Sequence, residues 1–370
     1  MQMDQNRLSL LALHFIPGIG DYLIRQLISY CGSAERVFKL PKGKLQKIPG
    51  VGLVTAEAIT LGKPFSNAEK EIRLAEKEKV DLLFFTDANY PSRLRQVNDA
   101  PTLLYAKGKM DLENLKTVAI VGTRKATAYG KECVENLVRD LVPHDALVVS
   151  GLAYGIDIHA HKVAVKSNLP SVGVMGSGMD VIYPSSHREV ATKMMEHGGL
   201  LTEHPFGTQP DAHNFPARNR IVAALSDAVI IVEAAEKGGA LITADIANSY
   251  NKDVFAMPGN IKQSHSAGCN NLIKSNRAHL LTSVRDLEYI MNWDAGSKPA
   301  KKETPSLEGF STDEQLILQT LLDNNKQLMI DEISWKTNLP IGKLASLLLT
   351  LEFKGIIASL PGKIYKLTKW

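Results

Sequence analysis

The feature that most constrains this fold is an alternation of short apolar runs with helical periodicity between residues 116 and 290. Between the first two runs, Val134, Leu137, Val138 and Leu141 mark one face of a helix. Apolar strands separated by helices are typical of parallel sheets covered on both sides. The sequence therefore predicts a doubly wound, mostly parallel α/β domain over residues 116–293. Its strand-like runs are Val118–Val121, Ala146–Val149, Ser171–Met175, Leu200–Glu203, Asp227–Val232 and Asp253–Met257.

Residues 1–60 carry a near repeat, Ile16-Pro-Gly-Ile-Gly20 and Ile48-Pro-Gly-Val-Gly52, and each copy precedes a short helical pattern. Glycines before a helix leave its first backbone N–H groups accessible, which favours anion binding. The repeat resembles a helix-hairpin-helix element, which grips a DNA phosphate without reading bases. A small packing or protein-contact module that keeps the same turn is an equally open alternative for this helical segment.

The rest of the chain divides into three further pieces. Residues 61–115 contain a charged helical pattern and two strand-like runs, which indicates a lead-in packed on the main domain. Residues 294–310 are polar and contain proline, as linkers do. Residues 311–370 show three helical patterns and then two strand-like runs around Pro361-Gly362, so we predict a winged-helix domain. The helical patterns are Glu314–Leu322, Ile330–Thr337 and Ile341–Lys354.

The net positive charge of the chain lies mainly in its N-terminal segment. Residues 1–60 carry seven basic and four acidic side chains, residues 116–290 carry 17 of each, and residues 311–370 carry seven and six. A nucleic-acid site in the middle of the chain must therefore rest on local clustering. The nearly neutral winged helix is a weak DNA reader, so a protein-contact or auxiliary role is favoured for it.

Cysteine usage and hydropathy indicate the cellular compartment of the chain. Cys31, Cys133 and Cys269 are odd in number and lie outside any C-x-x-C spacing, which favours a reducing compartment and argues against structural zinc. No apolar run reaches the roughly 18 residues of a membrane span, and the N-terminal apolar stretch is too short for a signal peptide. We therefore expect a cytoplasmic chain with no membrane partner.

Glycine-rich loops follow several of the predicted strands, at the sheet edge where open α/β sheets bind ligands. Glycine lets a ligand approach the backbone, and arginine offers a planar fork for phosphate. The candidate binding residues are Gly122, Thr123, Arg124, Ser150, Gly151, Gly176, Ser177, Gly178, Phe215, Arg218, Asn219, Arg220 and Gly239.

Phe215, Arg218 and Arg220 combine an aromatic face with cations at the start of a helical pattern. Proteins that bind single strands hold phosphates with such cations and stack bases on such rings. Each residue also has a plainer interpretation, since Phe215 can be a core residue and either arginine a solvated helix start. The combination favours anion binding with base stacking.

Familiar catalytic and cofactor patterns are missing from the sequence. The turn Gly122-Thr123-Arg124 lacks the G-x-G-x-x-G fingerprint of dinucleotide binding, and no Walker A sequence is present. Ser150 and Ser177 lack the G-x-S-x-G context of an activated serine. His159 and His161 are two residues apart, so they point to different sides of a helix. We expect a binding protein with no catalytic residue, no metal and no cofactor.

Seven segments between residues 117 and 290 appear in an order that resembles a known family. They are Val121-Gly-Thr-Arg124, Ser150-Gly-Leu-Ala-Tyr-Gly-Ile-Asp157, Gly176-Ser-Gly178 with Tyr183-Pro184, Phe215-Pro-Ala-Arg-Asn-Arg-Ile221, Leu241-Ile-Thr-Ala244, Met257-Pro-Gly259 and Gly268-Cys-Asn-Asn-Leu-Ile273. The family is that of the DNA-processing protein A, also called DprA or Smf.

The resemblance implies an extended Rossmann-like fold that binds and protects incoming single-stranded DNA and loads a RecA-type recombinase during natural transformation. It also implies a homodimer, and it places Arg124, Phe215, Arg218 and Arg220 around the DNA pocket. The alternative is a nucleotide-metabolising phosphoribohydrolase on the related fold, which carries a Pro-Gly-Gly-x-Gly-Thr loop and a following glutamate. The corresponding segment, Gly238-Gly-Ala-Leu-Ile-Thr243, has neither that proline nor that glutamate.

Overall fold

A computed structural model describes residues 4–61, 64–293, 309–324, 327–360 and 363–368 of the chain. The chain divides into two compact units, Met1–Gly296 and Ser297–Trp370. The division falls in the predicted linker, of which residues 294–308 lie outside the described ranges. The predicted Pro361-Gly362 turn lies outside them as well.

The first unit is built on a mostly parallel sheet of nine strands in the order β1-β2-β6-β5-β4-β3-β7-β8-β9. The strands are β1 (Asp81–Phe84), β2 (Leu103–Gly108), β3 (Thr117–Val121), β4 (Leu147–Ser150), β5 (Ser171–Val174), β6 (Gly198–Thr202), β7 (Ala228–Ile231), β8 (Asp253–Ala256) and β9 (His279–Leu280). Strands β3 to β9 pair in parallel, and β2 joins β6 antiparallel and carries β1 at the edge. The predicted doubly wound sheet is confirmed, and the lead-in segment supplies its two antiparallel strands.

Helices cover the sheet and precede it. They are α1 (Gln5–His14), α2 (Asp21–Cys31), α3 (Ala34–Lys39), α4 (Lys42–Leu45), α5 (Leu53–Thr60), α6 (Pro64–Glu78), α7 (Ser92–Arg95), α8 (Ala128–Leu141), α9 (Ile156–Lys166), α10 (Arg188–Met194), α11 (Asn214–Leu225), α12 (Gly239–Ser249), α13 (Ala267–Lys274) and α14 (Val284–Met291). Short 3-10 turns span Val142–His144, Ser185–His187 and Ser264–Ser266. No helix in the described part of the chain is long and apolar enough to cross a membrane.

The two faces of the sheet bury separate apolar cores, because alternate residues of a strand point to opposite faces. Along β3, Ala119 and Val121 join one core, and Val118 and Ile120 join the other. The second core also contains the buried face of α8, with the four apolar residues that the periodicity predicted. Both faces are therefore covered, and the open edge at the carboxyl ends of the parallel strands is left for loops.

The N-terminal helices pack on the same unit. Leu10, Leu27 and Ile59 belong to one core cluster with Met175 and Leu200 of the sheet region. Helices α1 to α5 therefore pack against the sheet region through a shared apolar core.

The second unit contains α15 (Thr312–Asp323), α16 (Ile330–Thr337) and α17 (Ile341–Phe353), with strands β10 (Gln327–Met329), β11 (Ile357–Leu360) and β12 (Ile364–Leu367). The strands form an antiparallel sheet in the order β10-β12-β11. Ser311 begins α15 as a capping box with Glu314. Three helices and a small sheet are the arrangement that the sequence predicted, with β10 as an additional strand.

Candidate functional site

The site lies where the strand order of the sheet reverses. The chain runs outward from β3 through β4, β5 and β6, then returns to place β7 on the other side of β3. Ligands of open α/β sheets bind at such a switch point, because the loops there diverge and leave a crevice. The loops after β3 and β7 and the first turns of α11 and α12 enclose a cavity of about 400 Å³. We call this cavity the strand-end pocket.

Seven of the predicted residues line the strand-end pocket, and they come from distant parts of the chain. They are Gly122, Thr123, Arg124, Phe215, Arg218, Asn219 and Gly239. Gly151 and Gly176 line a small adjoining cavity together with Arg124, Phe215 and Arg218. The structure therefore brings together most of the residues that the sequence analysis proposed.

An aromatic and cationic stack forms the wall shared by these two cavities. The guanidinium carbon of Arg124 lies 5.5 Å from the ring centroid of Phe215. Phe215 also contacts Tyr183, with ring centroids 5.8 Å apart and an interplanar angle of 34°. Arg124 and Tyr183 are exposed, and Phe215 is half-buried against Gly176. The arrangement offers one π-surface and one charged group to a ligand at the mouth of the pocket.

Arg218 lines the strand-end pocket as a buried residue. Its side chain is buried, with 4% of the residue exposed, and its Nη1 donates hydrogen bonds to the carbonyl oxygens of Gly151 and Val174. It thus joins the ends of β4 and β5 to α11. Arg218 is held in this way because α11 turns it toward the sheet, and its predicted contact with DNA stays a prediction.

Asp157, in the first turn of α9, lies beside Arg218 and accepts a hydrogen bond of 3.1 Å from the backbone N–H of Gly151. Burial raises the pKa of Asp157, and the charge of Arg218 opposes that shift. Burial also lowers the pKa of Arg218 to about 10, with Asp157 opposing and Arg124 adding to the shift. A Cβ at Gly151 would lie 2.5 Å from the Arg218 guanidinium. Only glycine therefore fits beneath this buried pair.

The electrostatic balance of the strand-end pocket is positive. Arg124, Arg218 and Lys237 line it, and Asp157 is the single carboxylic acid among the described residues of its lining. Arg124 and Lys237 are exposed, so their charges face incoming ligands. Three cations against one carboxylate provide the local clustering that the neutral overall charge of this region conceals.

The amino end of α8 is closed by the protein itself. In dinucleotide-binding folds this helix end, after the first strand, receives a pyrophosphate. Here the buried Glu233 carboxylate accepts hydrogen bonds from the backbone N–H of Thr127, at 2.9 Å, and from its hydroxyl, at 2.6 Å. A Cβ at Gly130 would lie 2.1 Å from the same carboxylate. An internal anion thus fills the place of a dinucleotide phosphate.

Arg220 lies outside the strand-end pocket. Its guanidinium pairs with Glu203, at the end of β6, and lies 3.5 Å from Asp21 at the start of α2. Arg220 is two residues along α11 from Arg218, so its side chain points to another face. Its predicted contact with DNA stays a prediction. Burial raises the pKa of Glu203 to about 7, against the charge of Arg220.

Three more predicted residues are internal. The Ser150 hydroxyl donates to the carbonyl oxygen of Ile120 at 2.6 Å, and the Ser177 hydroxyl donates to that of Val181 at 2.6 Å. Both serines are buried, and Gly178 is packed against the Pro205 carbonyl oxygen. These groups hold the loops that frame the pocket, and their predicted contacts with DNA stay predictions.

The turn of the first repeat copy, Ile16–Gly20, leads into a helix whose first residue contacts the segment before β2. Asp21, directly after Gly20, accepts hydrogen bonds from the backbone N–H and the hydroxyl of Thr102, at 2.7 and 2.6 Å. A phosphate at this helix end would meet that carboxylate, so the packing interpretation is favoured for the first copy of the repeat. The second copy ends at Gly52 with Leu53 and Val54 exposed.

The candidate binding residues from the sequence did not include Lys237, Tyr154 and Tyr183, which line these cavities. Both tyrosines lie in segments that carry the family resemblance. Lys237 lies in the loop between the end of β7 at Ile231 and the start of α12 at Gly239, so its position in a strand-end loop was the available signal. Tyr154 stacks edge-on against His187, with centroids 4.9 Å apart. Within the described ranges, no three His, Cys, Asp or Glu side chains cluster as a metal site would require.

Comparison with known proteins places the chain in a family. The profile of a family described as DNA recombination-mediator protein A matches residues 81–292, over half of the chain. The chain belongs to this family. A profile of the DprA winged helix domain matches residues 298–363, which confirms the winged-helix prediction.

Relatives of this family extend over most of the chain. The protein Smf of Synechocystis is 30% identical and covers 96% of this chain and 97% of its own length. The DNA processing protein DprA of Bacillus subtilis is 37% identical over 57% of this chain and 71% of its own. The resemblance to the DprA/Smf family is thereby confirmed.

Solved structures agree with the fold. The DNA processing protein A of Streptococcus pneumoniae is 32% identical, with a TM-score of 0.67, over 78% of this chain and 98% of its own. That of Helicobacter pylori, reported for a unique single-stranded DNA binding mode, is 31% identical, with a TM-score of 0.53, over 58% and 96%.

Proposed function

We propose that the chain binds single-stranded DNA at the strand-end pocket, protects it, and delivers it to a RecA-type recombinase during natural transformation. The observation that carries this proposal is the exposed Arg124 guanidinium stacked on Phe215 at the mouth of a positively charged pocket. A phosphate can pair with Arg124 while an unpaired base lies on the adjacent ring face. The related Helicobacter pylori protein is described as binding single-stranded DNA.

The partners in this proposal are a recombinase of the RecA type and a second copy of the chain. Both rest on membership of the recombination-mediator family. Size-exclusion chromatography with light scattering tests the homodimer, and a strand-exchange assay with a RecA-type recombinase tests delivery.

We propose further that the chain does no chemistry on the strand. The carboxyl group in the described pocket lining, Asp157, is held by Arg218 and by a backbone N–H, so it is not free to act as a base. The phosphoribohydrolase alternative predicts release of free base from a nucleoside monophosphate. Detection of that base above a no-protein control would contradict this part of the proposal.

The decisive experiment is a titration of a labelled oligothymidylate at several salt concentrations, followed by fluorescence anisotropy. The logarithm of the binding constant falls linearly with the logarithm of the salt concentration. Loss of one phosphate contact should make this slope shallower by up to about 0.7 for a single strand. Arg124→Ala should therefore weaken binding and flatten this slope. Arg139→Ala is the matched control, because Arg139 is an exposed arginine in the last turn of α8, at the opposite end from the pocket. Equal behaviour of the two variants would refute the proposed site.

A further inference from the structure

A second groove lies beside the strand-end pocket, across the loop that joins β3 to α8. It has a volume of about 500 Å³ and is lined by Thr127 and Tyr129 on one side and by Lys262, Gln263 and His265 on the other. We call it the Tyr129 groove. Its second wall is the loop after β8, which is the next strand beyond β7 at the same sheet edge.

The two cavities are close neighbours. Arg124 lines the strand-end pocket and Thr127 lines the Tyr129 groove. Three residues of chain span at most about 11 Å. The exposed Lys125 lies between them. A ligand that leaves the pocket along this loop therefore passes a cation and reaches the groove.

The Tyr129 groove has an aromatic wall that is fixed in place. Tyr129 is 42% exposed, and its hydroxyl donates a hydrogen bond to the carbonyl oxygen of Pro258. That carbonyl belongs to a braced loop, since Asn270 both donates to and accepts from the backbone of Gly259, at 3.0 and 3.1 Å. The ring is thus held with one part of its surface toward solvent.

The opposite wall presents a cation. The side chain of Asn260 accepts a hydrogen bond of 2.9 Å from the backbone N–H of Lys262 and closes a turn, and Lys262 at that turn is exposed. No carboxylate is among the described residues of the groove lining. The nearby Glu233 is turned inward to Thr127.

We propose that the single strand bound in the strand-end pocket continues over Lys125 into the Tyr129 groove, where one base stacks on Tyr129 and a phosphate pairs with Lys262. This inference rests on the proposed function and extends it from a pocket to a path along the sheet edge. An unpaired strand suits the groove because only unstacked bases offer a free face to a tyrosine ring. Duplex DNA keeps those faces covered.

The test compares oligothymidylates of about four and about twenty nucleotides, the first sized for the pocket and the second for the whole path. Tyr129→Leu should weaken binding of the longer strand by about 5- to 150-fold, the range for loss of one base stack. Binding of the shorter strand should stay within about twofold of wild type. Tyr129→Phe keeps the ring and should behave as wild type with both lengths.

A charge variant gives an independent measurement. Lys262→Ala should flatten the salt dependence for the longer strand by up to about 0.7 log units and leave the shorter strand unchanged. Lys166→Ala is the control, because Lys166 is an exposed lysine in the last turn of α9 at the opposite edge of the sheet. Circular dichroism of Tyr129→Leu separates a loss of stacking from a loss of structure.

The possible outcomes distinguish this inference from the proposed function. If Tyr129→Leu and Lys262→Ala bind the longer strand as wild type does, while Arg124→Ala fails with both lengths, the path does not exist and the pocket does. If the wild-type chain binds neither length, the proposed function itself is wrong. If Tyr129→Leu weakens both lengths equally and Lys262→Ala weakens neither, Tyr129 only braces its loop and the inference is overturned.

Discussion

Replacement of Arg218 by methionine separates a structural arginine from a phosphate-binding one. The side chain is buried, bridges the carbonyl oxygens of Gly151 and Val174, and lies beside Asp157. Methionine keeps the apolar volume but removes every donor and the charge. Breaking a buried pair on one side costs about 3–5 kcal/mol, because the partner charge is left uncompensated. At about 2–4 °C per kcal/mol, the melting temperature should fall by about 6–20 °C.

The assay is thermal unfolding by circular dichroism, combined with oligothymidylate titration at two salt concentrations well below the melting temperature. Arg124→Met is the comparison, since this exposed arginine should change the salt dependence and leave the melting temperature nearly unchanged. Arg218→Met combined with Asp157→Asn should regain part of the lost stability, because the double variant leaves no unpaired charge. An Arg218→Met protein with native melting temperature and a flattened salt slope would refute the structural assignment.

Three further outcomes follow from the structure. Phe215→Leu should weaken single-strand binding by about 1–3 kcal/mol with an unchanged salt slope; a lower melting temperature with unchanged affinity would instead make Phe215 a core residue. Because burial raises the pKa of Glu203 to about 7 from its ordinary 4.5, the folded state binds the extra proton between these values. Stability should fall as pH rises through this window, by up to roughly 3 kcal/mol, and Glu203→Gln should remove that fall in melting temperature. A chain ending after Trp293 should bind single strands within about tenfold of the full chain; a larger loss would place part of the site in the winged helix.

The sheet and its covering helices could be predicted because their signals are local. Residues that alternate between two buried faces give continuous apolar runs, and the 3.6-residue period of α8 selects Val134, Leu137, Val138 and Leu141. The short β9 could not be predicted in this way. It has two residues, both exposed, and it exists only because Phe255 and Ala256 of β8 offer hydrogen-bond partners.

The site was predicted by position along the chain, which does not say where a side chain points. Arg218 stands in the same helical stripe as the buried Ile221 and Leu225, so the periodicity carried a signal that it faces inward. Ser150 ends a strand whose residues are all buried, and its burial could have been inferred likewise. The ion pair of Arg220 with Glu203 joins segments that only the tertiary fold brings together, and no local pattern indicates it.

Glu233 has a consequence for competition between ligands. Its carboxylate is tethered to the chain at the helix end where many α/β proteins seat a diphosphate, and a tethered group acts at an effective concentration that a dissolved one seldom exceeds. We therefore expect free nucleotides to gain little by entering this position, even when they are abundant. The neighbouring Arg124 is left available to a ligand that arrives with many phosphates in a row. Under the proposed function, we therefore expect the folded chain itself to discriminate against small nucleotides before any strand is bound.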